Sequence, residues 1–358
     1  MSAAVKRRKI AFVRGSLTLS RRQALAAALL ALAPRAAAAQ QGDERRAALE
    51  SYALVAEDGD LVWYESSRRD QLDAIALAFA QLFPRLRVRG ESIAGGVGIV
   101  GRVRQEHQVG GRMVDVVTLG GGGVAQLAAR GLLRDIEWGR LPIDPMMVVG
   151  RHAVMTAASV YCLICNTDQI GEADTPRSWD ALLEPRWRGR IGTWVRAAAF
   201  AELASVWGAE RTLHFYRRFL DQNPMLFRST APLAQQVAAG ECALGLGIHH
   251  TALAAQRRGA PIRIVILDPT PISAIYSAVV ADTRRPHAAA LFAAWLATPE
   301  GALVYERATD RGNPMIAETQ AARLLRHHQL AEWPMDRKAD YARLFELYNS
   351  MVNDADAR

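Results

Sequence analysis

From about residue 57 onward, short apolar runs alternate with stretches whose apolar residues recur at helical spacing. This alternation restricts the fold more than any other feature of the chain. Residues 60–64 (DLVWY) read as a strand, and residues 70–83 read as a helix with Leu72, Ile75, Phe79 and Leu82 on one face. Pro84 ends that helix. Residues 86–90 (LRVRG) alternate like a strand, residues 97–108 read as a helix, and 113–119 (MVDVVTL) as an apolar strand. Four glycines, Gly120 to Gly123, follow, then a helix through Val124, Leu127 and Ala128 that Gly131 stops. The pattern restarts after residue 150: strands in SVYCLICNTD, GRIGTW, CALGLGI, IRIVIL and YSAVVAD are separated by helices, and helices dominate to the end. Short apolar strands alternating with helices imply parallel sheet covered by helices. Two such units predict an α/β protein of two lobes with a cleft between them. Ligands of open α/β sheets bind beyond the carboxyl ends of the strands.

Candidate site residues are therefore sought at those ends. Ser66, Ser67 and Arg68 follow the first strand at a helix start, where backbone N–H groups favour anions. Gly120, Gly121 and Gly122 follow the third strand; without Cβ atoms their backbone can approach a ligand closely. No Lys-Ser/Thr follows, so this is not a P-loop. In the second unit Thr193 and Arg196 mark one strand-to-helix junction, and Ser229 and Thr230 mark another. His249 and His250 close the strand 243–248. They read either as hydrogen-bond donors to a ligand, or as metal ligands, or as structural residues. No third metal donor lies near them in the sequence.

Charge is unevenly placed. The formal net charge is +8, and residues 1–39 carry eight basic residues and no acid, so the remainder sums to zero. A nucleic-acid partner is not expected. That amino-terminal segment has paired Arg21 and Arg22, an apolar run from Ala24 to Ala33, and small residues up to Ala39. It reads as an export signal of twin-arginine type, cleaved near Ala39, with residues 40–56 as a flexible lead-in. Cys162 and Cys165 sit three apart on a strand, hence on opposite faces, and read as structural; a disulfide to Cys242 is left open.

Several stretches in order, among them LVWYESSRRDQLDAIALAFAQLFPRLRV, VDVVTLGGGGVAQLAARGLL, PRSWDALLEPRWRGRIGTW and QQVAAGECALGLGIHHTALAAQRRGAPI, resemble the periplasmic solute-binding proteins of ABC importers, specifically the ferric-iron-binding type and its relatives. The resemblance covers residues 59–350. It implies the type II periplasmic binding fold: an amino-terminal lobe of residues 57–150 plus 277–358, a carboxy-terminal lobe of residues 151–276, and hinge strands between. It also implies a periplasmic monomer that hands a solute to permease subunits, without catalysis and without a cofactor. At the family's iron-ligand positions this chain has Arg68 in place of His, Gly120 in place of Glu, and His249–His250 in place of two tyrosines. The first two replacements cannot bind a cation, so the expected solute is a small anion of the phosphonate, sugar phosphate or carboxylate class. Ferric iron carried with a synergistic anion is the alternative. A metal-dependent hydrolase using His249 and His250 is the alternative of another class, against which stands the lack of a nucleophile elbow or HExxH motif.

Overall fold

A computed structural model describes residues 40–111 and 114–356. The expected export signal lies outside the described residues. The chain divides into two compact units, residues 1–48 and 49–358. Residues 40–53, expected as a flexible lead-in, are helical instead. Pairs four apart close on each other there, as Gln40 Nε2 does on Glu44 Oε1 at 3.0 Å.

The larger unit is built on strands β1 (Gly59–Glu65), β2 (Leu86–Ser92), β3 (Val116–Gly120), β4 (Val148–Val149), β5 (Ala153–Asn166), β6 (Ile191–Trp194), β7 (Met225–Phe227), β8 (Leu244–Ile248), β9 (Ile262–Val265), β10 (Thr270–Val279) and β11 (Leu330–Ala331). Their path through the sheet is β2-β1-β3-β10-β5-β8-β6-β7. At one end β2, β1 and β3 run parallel, with Leu61 opposite Val88 and Trp63 opposite Val116. At the other, β8, β6 and β7 run parallel. Between them β10 and β5 pair antiparallel, Ala274 opposite Ala158, and each extends into both lobes. Fourteen-residue β5 is buried along nearly its whole length and is accordingly mostly apolar.

Of the apolar clusters that follow from this path, two are large. One joins residues of 49–160 with residues of 272–325. The other joins 163–267 with Ala331, Trp333, Leu344, Tyr348 and Val352. The last helix therefore packs on the second lobe, whereas the expectation assigned residues 277–358 to the first. The physical reason is its apolar face: Tyr348 lies 5.3 Å, ring to ring, from Tyr216. Just before that helix, the buried Trp333 donates its indole N–H to the Ala201 carbonyl at 2.7 Å.

The helices that matter for the site are α1 (Arg69–Leu82), α2 (Gly95–Gln108), α3 (Gly121–Ala128), α4 (Ala198–Trp207), α5 (Ala209–Leu220), α6 (Thr230–Ala238), α7 (His249–Arg257), α8 (Pro286–Leu296), α9 (Pro299–Thr309), α10 (Gln320–Leu325) and α11 (Lys338–Asp356). No single helix among the described residues is long and apolar enough to cross a membrane. Cys162 and Cys165 face different cores, as their spacing on β5 requires, and Cys162, Cys165 and Cys242 are buried free thiols.

Candidate functional site

The largest cavity among those described, about 760 Å³, opens where the end of β3, the start of α4 and the carboxy-terminal segment meet. Gly120 to Gly123 line one side of it, Arg196, Glu202 and Phe345 another, with Ser273, Lys338 and Tyr341 between. The glycines divide by role. A Cβ on Gly121 would stand 3.0 Å from Lys338 Cε and from Met335 Sδ, and one on Gly123 would stand 2.5 Å from Leu119 Cδ1. Those two permit close packing. A Cβ on Gly122 would meet nothing within 4 Å, so the chain there is open to a ligand.

Lys338 lies over this helix start. Its side chain is 7% exposed, with Nζ 3.6 Å from Glu332 Oε1 and 3.9 Å from Glu202 Oε1. Both carboxylates are already engaged. Glu332 Oε1 accepts from the Ala274 N–H at 3.3 Å, and Glu202 Oε2 from the Trp333 N–H at 3.0 Å. Burial pushes the Glu202 carboxyl up to about 8, against the pull of Lys338 and of the Trp333 amide, so it is largely protonated at neutral pH. Burial raises Glu332 as well. Arg196 stands at the rim with its guanidinium 5.3 Å from the ring centres of both Trp194 and Phe345. The adjoining Ala197 amide, at the start of α4, is taken by Asn349 Oδ1 at 2.8 Å.

The expected residues do not form one cluster. Gly120, Gly121, Gly122 and Arg196 meet at this cleft. Thr193, Thr230 and again Arg196 line a smaller neighbouring cavity. Ser229 is the exposed N-cap of α6, and its side chain makes no cap bond. Arg68 does not line the cleft: it is 72% exposed and closes a fork on Asp70, with bonds of 3.0 and 2.7 Å. A carboxylate two residues away at the same helix start satisfies the guanidinium before any solute can. Ser66 Oγ donates to Glu65 Oε1 at 3.2 Å, and Ser67 Oγ accepts from the buried Arg311, which also pairs with Glu65.

His249 and His250 do not line the cleft either. They open α7 and border a cavity of only about 10 Å³ with Ala158, Glu306, Asp310 and Gln320. Nδ1 of His250 is enclosed and has no partner. Burial first, then Arg311 and His249, hold His250 neutral by lowering it to about 3. An anion site made of Arg68 and the two histidines is thus not assembled here. Among the described residues, no three His, Cys, Asp or Glu side chains converge as a metal-holding group.

Sequence reasoning missed Lys338, Glu202, Glu332 and Arg311. Lys338 alone carried a signal. It is the only lysine after residue 9 in a chain of 44 basic residues, a compact point charge where this chain elsewhere uses guanidinium.

The family model for bacterial extracellular solute-binding proteins matches residues 61–308. An uncharacterized protein of Haemophilus influenzae is 23% identical over 168 residues, 44% of this chain; the match spans about half, 49%, of that relative's length. Iron-bound HitA from Pseudomonas aeruginosa superposes with a TM-score of 0.66 at 19% identity, over 83% of this chain and 99% of its own. The periplasmic binding protein AfuA from Actinobacillus pleuropneumoniae, with fructose-6-phosphate bound, gives 0.66 at 18% identity over 83% and 99%. At these identities the likeness is one of fold, the type II periplasmic binding fold. With more than half of its length matched, the chain belongs to the family of bacterial extracellular solute-binding proteins.

Proposed function

We propose that the chain is the periplasmic receptor of an ABC importer, a monomer that captures a small anionic solute in the 760 Å³ cleft and hands it to a membrane permease. The observation that supports an anion is the position of Lys338. Its ammonium stem lies against Gly121, at the amino-terminal end of α3. A helix start carries partial positive charge, so a cation beside it is unfavourable unless negative charge is near. Glu202 supplies little of that charge while protonated, and the Glu332 carboxylate, 3.6 Å from Nζ, balances Lys338 alone. Arg196 adds a second cation with no carboxylate partner among the described residues. Asp336 and Glu346 also line the cleft as exposed residues. A carboxylate, phosphate or phosphonate placed between the Gly122 region, Lys338 and Arg196 would complete the balance.

HitA and AfuA show that one fold serves both a metal cation and a sugar phosphate, so charge at the site has to decide. The hydrolase reading rests on His249 and His250, which border a cavity too small for more than one water; the iron reading, with a synergistic anion supplying oxygens, takes them only as assisting ligands.

The test is calorimetric titration of the purified protein with carboxylates, phosphonates, sugar phosphates and ferric citrate. At least one anion should bind, and Lys338→Met and Arg196→Ala should each weaken it about tenfold or more, the scale of one charge-assisted hydrogen bond. Iron uptake with full affinity in Lys338→Met would overturn the reading.

A further inference from the structure

A second, smaller cavity adjoins the cleft on the lobe that carries Arg196. Its volume is about 20 Å³, space for one water-sized group. Its walls are mostly apolar: Tyr161, Trp194, Ala199, Phe200, Leu246 and Ile248, with the Thr193 and Thr230 side chains at the strand ends. Three observations set it beside the larger cleft. Arg196 lines both spaces. Tyr161 lines the small cavity, and Ser273, which lines the large one, is near enough to its hydroxyl to favour the ionised form. Phe345 lines the cleft and packs on the cluster of Tyr161, Ala199 and Ile248. An acid group held by Arg196 therefore has, directly beside it, an apolar recess of methyl size.

We infer that this recess behind Arg196 determines specificity, selecting acids whose charged group bears a methyl-sized apolar end and disfavouring polyol phosphates and longer alkyl acids. The inference rests on the cleft being an anion site, and it narrows that reading to short alkyl carboxylates or alkylphosphonates. The physics is transfer of one methyl group out of water, worth about fourfold in affinity. A hydroxyl in the same place would lose its water without a full set of partners. A butyl chain would have to force the aromatic walls apart.

Two ligand series test it by calorimetry on the intact protein: inorganic phosphate, methylphosphonate and butylphosphonate, and formate, acetate and valerate. In whichever series binds, the methyl member should exceed the member without carbon side chain by about fourfold, and the four-carbon member should fall below both. Ala199→Leu fills the recess and should bring the first two affinities together. Ile248→Ala enlarges it and should raise the four-carbon member by about fourfold or more, which keeps the test decisive if the leucine variant does not fold. Binding that ignores chain length in the wild type and in Ile248→Ala overturns the recess and leaves the anion cleft standing. Failure of all six anions to bind overturns the recess, while the anion cleft falls only if sugar phosphates and larger carboxylates fail as well.

Discussion

At the scale of single residues, what distinguishes Arg68 from Lys338 is the company each keeps. Arg68 sits at a helix start with Asp70 two positions on, in water, where the pair satisfies itself and contributes little. Lys338 is enclosed beside two buried carboxylates that also accept backbone amides, and one of them, Glu202, is driven toward its neutral form. Glu202 bears the cost of that enclosure. Its carboxyl, raised from an ordinary 4.5 to about 8 by burial, binds a proton more tightly in the folded state than in the unfolded one. Its contribution to stability is therefore complete below pH 4.5 and is lost as pH rises through 8. Glu202→Gln removes the titration. Thermal melts from pH 5 to 9 should show the variant losing less stability than the wild type on the alkaline side, by about 2 °C or more at pH 9. Parallel profiles would mean that Glu202 stays ionised.

At the scale of elements, one-turn differences decide which side chains meet. The helix α7 begins at His249 rather than at Thr251, where its apolar pattern starts, and that extra half-turn carries both imidazoles into the lobe boundary. The carboxy-terminal element departs further from expectation. Strand β11 pairs with β10 and hands the chain across to the second lobe, where Trp333 enters the core and α11 follows. That docking places Lys338, Tyr341 and Phe345 in the cleft, so the site depends on an element outside the matched residues 61–308. Trp333→Ala should cost about 3–5 kcal/mol in chemical denaturation. It should also weaken anion binding, because the anchor of α11 is lost; a variant destabilised but binding normally would separate α11 from the site.

At the scale of the whole molecule, the two lobes touch around the crossing strands. His249 and His250 come from the second lobe, while Glu306, Asp310 and Gln320 come from the first; Arg257 and Asp310 pair across the same boundary. His250 is depressed from an ordinary 6.5 to about 3, chiefly by burial. Its neutral form is thus part of the packed state, and the stability it supports is present above pH 6.5 and lost as pH falls toward 3. This reverses what protonated histidines beside an anion would do, since they would strengthen binding in acid. Stability measured from pH 7 to 4 should fall, and His250→Gln should flatten the slope. An unchanged slope would place the acid sensitivity elsewhere.

What the amino-acid sequence determined alone was the alternation of elements. Period-two and period-3.6 apolar patterns are local, so β1 through β3, the part of β5 from Ser159 onward and the helices between them could be read directly, as could the opposite faces of Cys162 and Cys165. The glycine run at the end of β3 and Arg196 were likewise visible, because strand ends are where such folds place ligands. What only the tertiary structure decided was which charges remain available. Arg68 and Asp70 are close in sequence and cancel; Glu202 is distant in sequence from Glu332 and Lys338 and meets them only through packing. Electrostatics depends on burial and on distances through space, and neither is a property of spacing along the chain.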